Sequence, residues 1–136
     1  MSDDRSDYDR STPEPLRRVY YGGKLLEVER DPHGMDPHEP GAKLDAGKLR
    51  LGLVLGGFAE ALTEVGRVGT YGAEKYSPNG WKSVENGEER YLDALYRHLL
   101  ADEASRVDDG TDLLHLAQVA WNALAVLQLR LRGPAK

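Results

Sequence analysis

The stretch that most limits how this chain can fold lies near its C-terminus. Residues 113–127 read LLHLAQVAWNALAVL, and as a helix they put apolar groups around nearly the whole circumference. Such a helix is buried on most sides. The polar exceptions in and just before it are Asp112, His115, Gln118 and Asn122, which share one stripe at ~100° per residue. Polar groups on a buried helix need partners. A shared internal site would supply them, and so would ordinary interhelical hydrogen bonding or a solvent-facing strip. The pattern by itself leaves these readings open.

The rest of the helical pattern lies upstream. Phe58, Ala61, Leu62, Val65, Val68, Gly72 and Tyr76 fall on one stripe, predicting a first helix over residues 58–76. Gly66, Gly69 and Gly72 weaken it and allow close approach by a neighbour. Ser77-Pro78-Asn79-Gly80 stops it, and a loop carrying Trp81 follows. A second helix is expected over residues 88–103, with Tyr91, Leu92, Leu95, Tyr96, Leu99 and Leu100 as its apolar face. Asp108-Asp109-Gly110-Thr111 is a turn, from which Thr111 would cap a third helix running to about residue 132.

Upstream of the helices the composition changes. Residues 1–15 are nearly free of apolar groups and read as a disordered tail. In residues 16–40, two β-prone runs flank Gly22-Gly23 and suggest a hairpin, followed by a Pro- and Gly-rich linker. Residues 43–57 read as a basic loop entering a short apolar segment. The expected architecture is therefore all-α over residues 41–136, with an N-terminal β-hairpin arm. A chain of 136 residues makes one domain with a modest core. The third helix needs more cover than that, so a homo-oligomer, dimer or tetramer, is expected.

The formal net charge of -5 argues against generic nucleic-acid binding. The absence of cysteine excludes disulfides and thiolate-bound zinc. The acidic N-terminus is unlike a signal peptide, and no apolar run approaches the roughly 18 residues of a membrane span. The expected address is cytoplasmic, without a membrane partner.

Several side chains are candidates for chemistry. His98 and Asp102 lie one turn apart on the second helix. A short connection makes the second and third helices antiparallel, so His98 and Asp102 can face Asp112 and His115. Two carboxylates and two imidazoles would hold one or two divalent ions. A lone core-edge histidine, however, is more often simply a satisfied structural group. Lys43, Lys48 and Arg50 form a basic cluster suited to phosphates, with Lys75 as a further cation. For any single lysine, a solvated surface charge is the commoner role. Gly41 to Gly47-Lys48 is not a P-loop, because it is one residue too long and Leu49 replaces the Ser or Thr. Tyr76 and Trp81 could stack on a base or belong to the core. Glu60 and Glu64 sit at i,i+4 on a polar face that is solvated by default. The HExxH and G-x-S-x-G patterns are absent.

The strings GAKLDAGKLRLGLV, VGTYGAEKYSPNGW, RYLDALYRHLLA and LLHLAQVAWNALAVL resemble the phage dATP/dGTP diphosphohydrolase family, especially its MazZ-type, MazG-related members from phages with 2-aminoadenine in their DNA. The resemblance spans about residues 41–129. It implies a MazG-like helical bundle. It also implies metal-dependent hydrolysis of a purine deoxynucleoside triphosphate, dGTP or dATP, to the monophosphate and pyrophosphate, the dGMP feeding modified-purine synthesis. The wider MazG group holds Mg²⁺ through E-x-x-E and E-x-x-D motifs. Here His98 and Asp102 fall near the first motif, and Asp112 and His115 on the second, so two imidazoles replace carboxylates.

Together these give an expected metal set of His98, Asp102, Asp112 and His115, holding Mg²⁺ or Mn²⁺. Glu64, Asp102 and Asp112 are the expected catalytic carboxylates. Lys43, Asp45, Lys48, Arg50, Lys75, Tyr76, Trp81 and Asn122 are the expected substrate contacts. The competing functional reading is a helical oligomer that binds nucleotides without cleaving them. A third is an assembly protein whose polar stripe sets helix register.

Overall fold

The computed structural model describes residues 29–133. The expected tail and both arms of the expected hairpin lie outside the described residues. The chain divides into two compact units after Val54. In the first unit, the described residues form a series of turns around the buried Asp31. One Asp31 oxygen accepts the amides of His33 at 2.7 Å and Met35 at 3.4 Å, and the other accepts that of Lys43 at 2.9 Å. These bonds favour the ionised carboxyl, that to Lys43 most, and hold its pKa below the usual aspartate value. The Pro-rich segment is therefore an ordered loop.

Four α-helices are present and no strand occurs among the described residues, so this part of the chain is all-α. The first, α1 (Gly52–Leu55), is a single turn with every residue exposed. The second unit holds α2 (Ala59–Lys75), a 3-10 turn (Gly80–Ser83), α3 (Gly87–Ala104) and α4 (His115–Arg132). Asn79 and Asn86, at φ 59° and 52°, supply the left-handed backbone that starts the 3-10 turn and α3. Glu88 and Glu89 in the first turn of α3, and Arg130 and Arg132 in the last turn of α4, oppose the helix dipoles.

Helices α3 and α4 form an antiparallel hairpin. Glu88 pairs with Arg130 at one end, and His98 meets His115 at the other. Between them, Tyr91 and Trp121 pack edge to face at 5.6 Å, with Trp81 of the 3-10 turn completing a three-ring cluster. Helix α2 lies against α4 where Gly69 faces the Trp121 indole. The buried side of α4 is built from small and polar residues, Ala117, Ala125, Val126, His115 and Asn122. Its leucines Leu116, Leu124, Leu127 and Leu131 are exposed in the single chain.

The start of α4 also differs from expectation. Residues 111–114 are not helical, and Thr111 caps nothing: its hydroxyl accepts the amide of Leu113. The connection closes instead through its own backbone. Asp108 N–H donates to Leu113 O at 2.8 Å, His115 N–H donates to Arg106 O at 3.0 Å, and Val107 pairs with Leu114 as an isolated antiparallel bridge. Asp112 sits at φ 59°, outside the right-handed helical region. It therefore does not share the α4 stripe of His115, Gln118 and Asn122.

Candidate metal centre in the α3–α4 hairpin

Three side chains converge where the hairpin closes: His98 from α3, Asp108 from the connection and His115 from the first position of α4. One nitrogen or oxygen from each lies within 4.8 Å of the others. The two Nδ1 atoms face each other at 2.9 Å, so one imidazole donates and the other accepts. His115 is buried and His98 half-buried. Burial, and then the neighbouring His115, push the His98 pKa down and keep its ring neutral, the form that binds metals. Asp108 is held from two sides. Its Oδ2 accepts Gln118 Nε2 at 3.2 Å, and its Oδ1 accepts the Gly110 amide at 3.1 Å. The Gln118 bond, followed by that of Gly110, lowers the Asp108 pKa. Asn122 extends the support, its Nδ2 donating to Gln118 O at 2.7 Å.

The expected ligand set is thus regrouped. His98 and His115 come together, but Asp108 joins them in place of Asp102 and Asp112. Asp102 is half-buried one turn beyond His98, and the left-handed backbone at the exposed Asp112 takes it off the helix. Sequence reading placed Asp108 only in a turn. The available signal was Asp-x-Gly, in which a carboxylate accepts the amide two residues on, but it does not say which side chains approach across the hairpin.

The remaining candidates are dispersed. Lys75 ends α2, with its ammonium 5.1 Å from the Tyr76 ring. Tyr76 is the main cause that raises the Lys75 pKa. Tyr76 itself is exposed. Trp81 belongs to the aromatic cluster, with Lys82 5.7 Å above its ring. Glu64 pairs with Arg67 on α2 at 3.3 Å. Lys43, Asp45, Lys48 and Arg50 lie in the first unit. There Lys48 pairs with Glu29, the Lys43 and Arg50 side chains are exposed, and Asp45 is half-buried.

Fold and site together define a protein that is all-α over the described residues, with a His/Asp/His cluster suited to a divalent ion. The chain belongs to the dATP/dGTP diphosphohydrolase N-terminal family, whose model matches residues 38–136. It is similar to the dATP/dGTP diphosphohydrolase of Salmonella phage PMBT28, with 39% identity over 90 residues, covering 65% of this chain and 29% of that protein. The chain spans less than a third of the length of this curated relative. No solved structure matches. No described helix is long and apolar enough to cross a membrane.

Proposed function

We propose that the chain hydrolyses purine deoxynucleoside triphosphates, dGTP or dATP, between the α- and β-phosphates, yielding the monophosphate and pyrophosphate. The observation that carries this reading is the His98/Asp108/His115 cluster in a member of this family. The donor set fits a divalent ion, with two imidazoles beside a carboxylate that Gln118 and the Gly110 amide hold in place. When bound, such an ion supplies charge neutralisation on the leaving phosphates and a more acidic water. Lys75, in the last turn of α2, offers a cation for the triphosphate. The Asp102 carboxylate, one turn from His98, accepts the proton of the attacking water. Lys43, Lys48, Arg50 and Asp45 remain proposed substrate contacts from the first unit, as do Tyr76, Trp81 and Asn122 from the second. The leucine face of α4 supports self-association, with a second copy of this chain as its partner.

The test is incubation with each deoxynucleoside triphosphate and Mg²⁺ or Mn²⁺, with the products resolved by ion-exchange chromatography. Equal amounts of monophosphate and pyrophosphate, from dGTP or dATP in preference to pyrimidine substrates, are expected. Orthophosphate with a diphosphate would place the cleavage elsewhere and reject the proposal. Binding without turnover would leave a nucleotide-binding oligomer.

A further inference from the structure

We infer that His98, Asp108 and His115 form a nitrogen-rich centre that selects a first-row transition ion over magnesium, with Gln118 as the positioning residue that aims the Asp108 carboxylate. This deepens the reading above and rests on the same cluster, but its test needs no nucleotide.

The backbone sets the geometry before any ion arrives. The amide of Asp108 is tied to Leu113, and the amide of His115 to Arg106, on either side of the Val107/Leu114 bridge. Asp108 and His115 are thereby fixed relative to one another. His98 arrives from the rigid α3, which the Glu88–Arg130 pair and the three-ring cluster hold against α4. Two imidazole nitrogens bound to one ion at ~2.0–2.1 Å stand roughly 3 Å apart. The Nδ1 separation of 2.9 Å already matches that spacing. A shared proton between two imidazoles explains the same distance, but it needs no carboxylate within 4.8 Å of both rings. Nor does it need that carboxylate to be steadied on both oxygens.

The donor types decide the ion. Magnesium favours oxygen ligands in near-octahedral array and gives up its waters reluctantly. Imidazoles favour zinc, nickel, copper and iron. Two nitrogens against one carboxylate therefore tilt the site away from magnesium. Gln118 leaves each Asp108 oxygen with lone-pair capacity to spare while fixing the plane of the group.

The experiment titrates metal-free protein with Co²⁺, Zn²⁺, Mn²⁺ and Mg²⁺, following visible Co²⁺ absorption and calorimetric heat. All proteins carry His33→Ala and His38→Ala, which removes two exposed imidazoles of the first unit as adventitious ligands. One equivalent of Co²⁺ or Zn²⁺ is expected to bind at least a hundredfold more tightly than Mg²⁺. Asp108→Asn should abolish or severely weaken this binding, and Gln118→Leu should weaken it by about 10- to 100-fold. Asp112→Asn should leave it unchanged. Helical circular dichroism without metal checks that each variant is folded, and His98→Gln gives a second ligand removal if Asp108→Asn is not. Equal affinity for Mg²⁺ and Zn²⁺, or unchanged binding in folded Asp108→Asn, overturns the inference. Tight Co²⁺ binding in a protein that cleaves no nucleotide would reject the proposed hydrolysis and keep the centre. Turnover with no such ion preference would do the reverse.

Discussion

Truncating Leu127 to alanine isolates the outer face of α4. At ~100° per residue, Leu116, Ala123, Leu124, Leu127 and Leu131 occupy one stripe about 100° wide, with no charge within it. Leu127 lies near the middle of that stripe and is 53% exposed. Fully burying a leucine is worth ~1.5–3 kcal/mol, so about half, ~0.8–1.5 kcal/mol, is still available to a partner. In a two-fold interface each substitution counts twice, giving ~1.5–3 kcal/mol per dimer and a dissociation constant raised roughly 10- to 150-fold. The protomer itself should hardly notice, since the residue is exposed and alanine is the better helix former. Sedimentation equilibrium over a concentration series, alongside thermal melts, reads both quantities. A parent protein that stays monomeric into the high micromolar range would refute the reasoning. So would a Leu127→Ala variant that associates as tightly as the parent.

Two further outcomes follow from the loop geometry. Because Asp31 has a depressed pKa, its contribution to the order of its loop is fully present above the unfolded aspartate value of about 3.9 and is lost as pH falls through the lower, folded value; the His33 and Lys43 amide resonances should titrate together with a midpoint below the usual aspartate range, and a midpoint at or above it would contradict the hydrogen bonds described. Asp112→Ala should cost about 1 kcal/mol, because alanine is strained at φ 59° where aspartate is tolerated, whereas a helical position would gain up to ~0.7 kcal/mol, and a gain in chemical denaturation would put Asp112 back on the helix.

The three long helices were legible because each carries an apolar stripe of helical period, and α2 and α3 begin and end close to the expected residues. The start of α4 was not. The segment Asp108-Asp109-Gly110-Thr111-Asp112 satisfies every local rule for a helix entry, with a turn followed by a capping threonine. What overrides the local preference is pairing between Val107 and Leu114, a contact made only once α3 and α4 are side by side. The approach of Asp108 to the two histidines was not legible for the same reason. The histidines could be paired by antiparallel register, since each sits on a helix. The carboxylate comes from the connection, whose path the periodicity of the flanking helices does not determine. What covers the outer leucines of α4 was not legible either. A helix apolar on all sides reads identically whether its second face meets its own chain or another.

Helix α4 carries apolar bulk on two faces. Its inward face holds Ala117, Ala125 and Val126 among His115, Gln118 and Asn122, with Trp121 in the aromatic cluster, while Leu116, Leu124, Leu127 and Leu131 are exposed. The small residues let α3 come close enough for His98 to meet His115, which large side chains at those positions would prevent. The cost is a thin core, in which the buried apolar side chains are Ala117, Ala125 and Val126 among the described residues. Most of the hydrophobic free energy available to α4 therefore lies on its outer face, where a second copy would release it. On this reasoning the hairpin that holds the cluster and the surface proposed to join protomers are opposite sides of one helix.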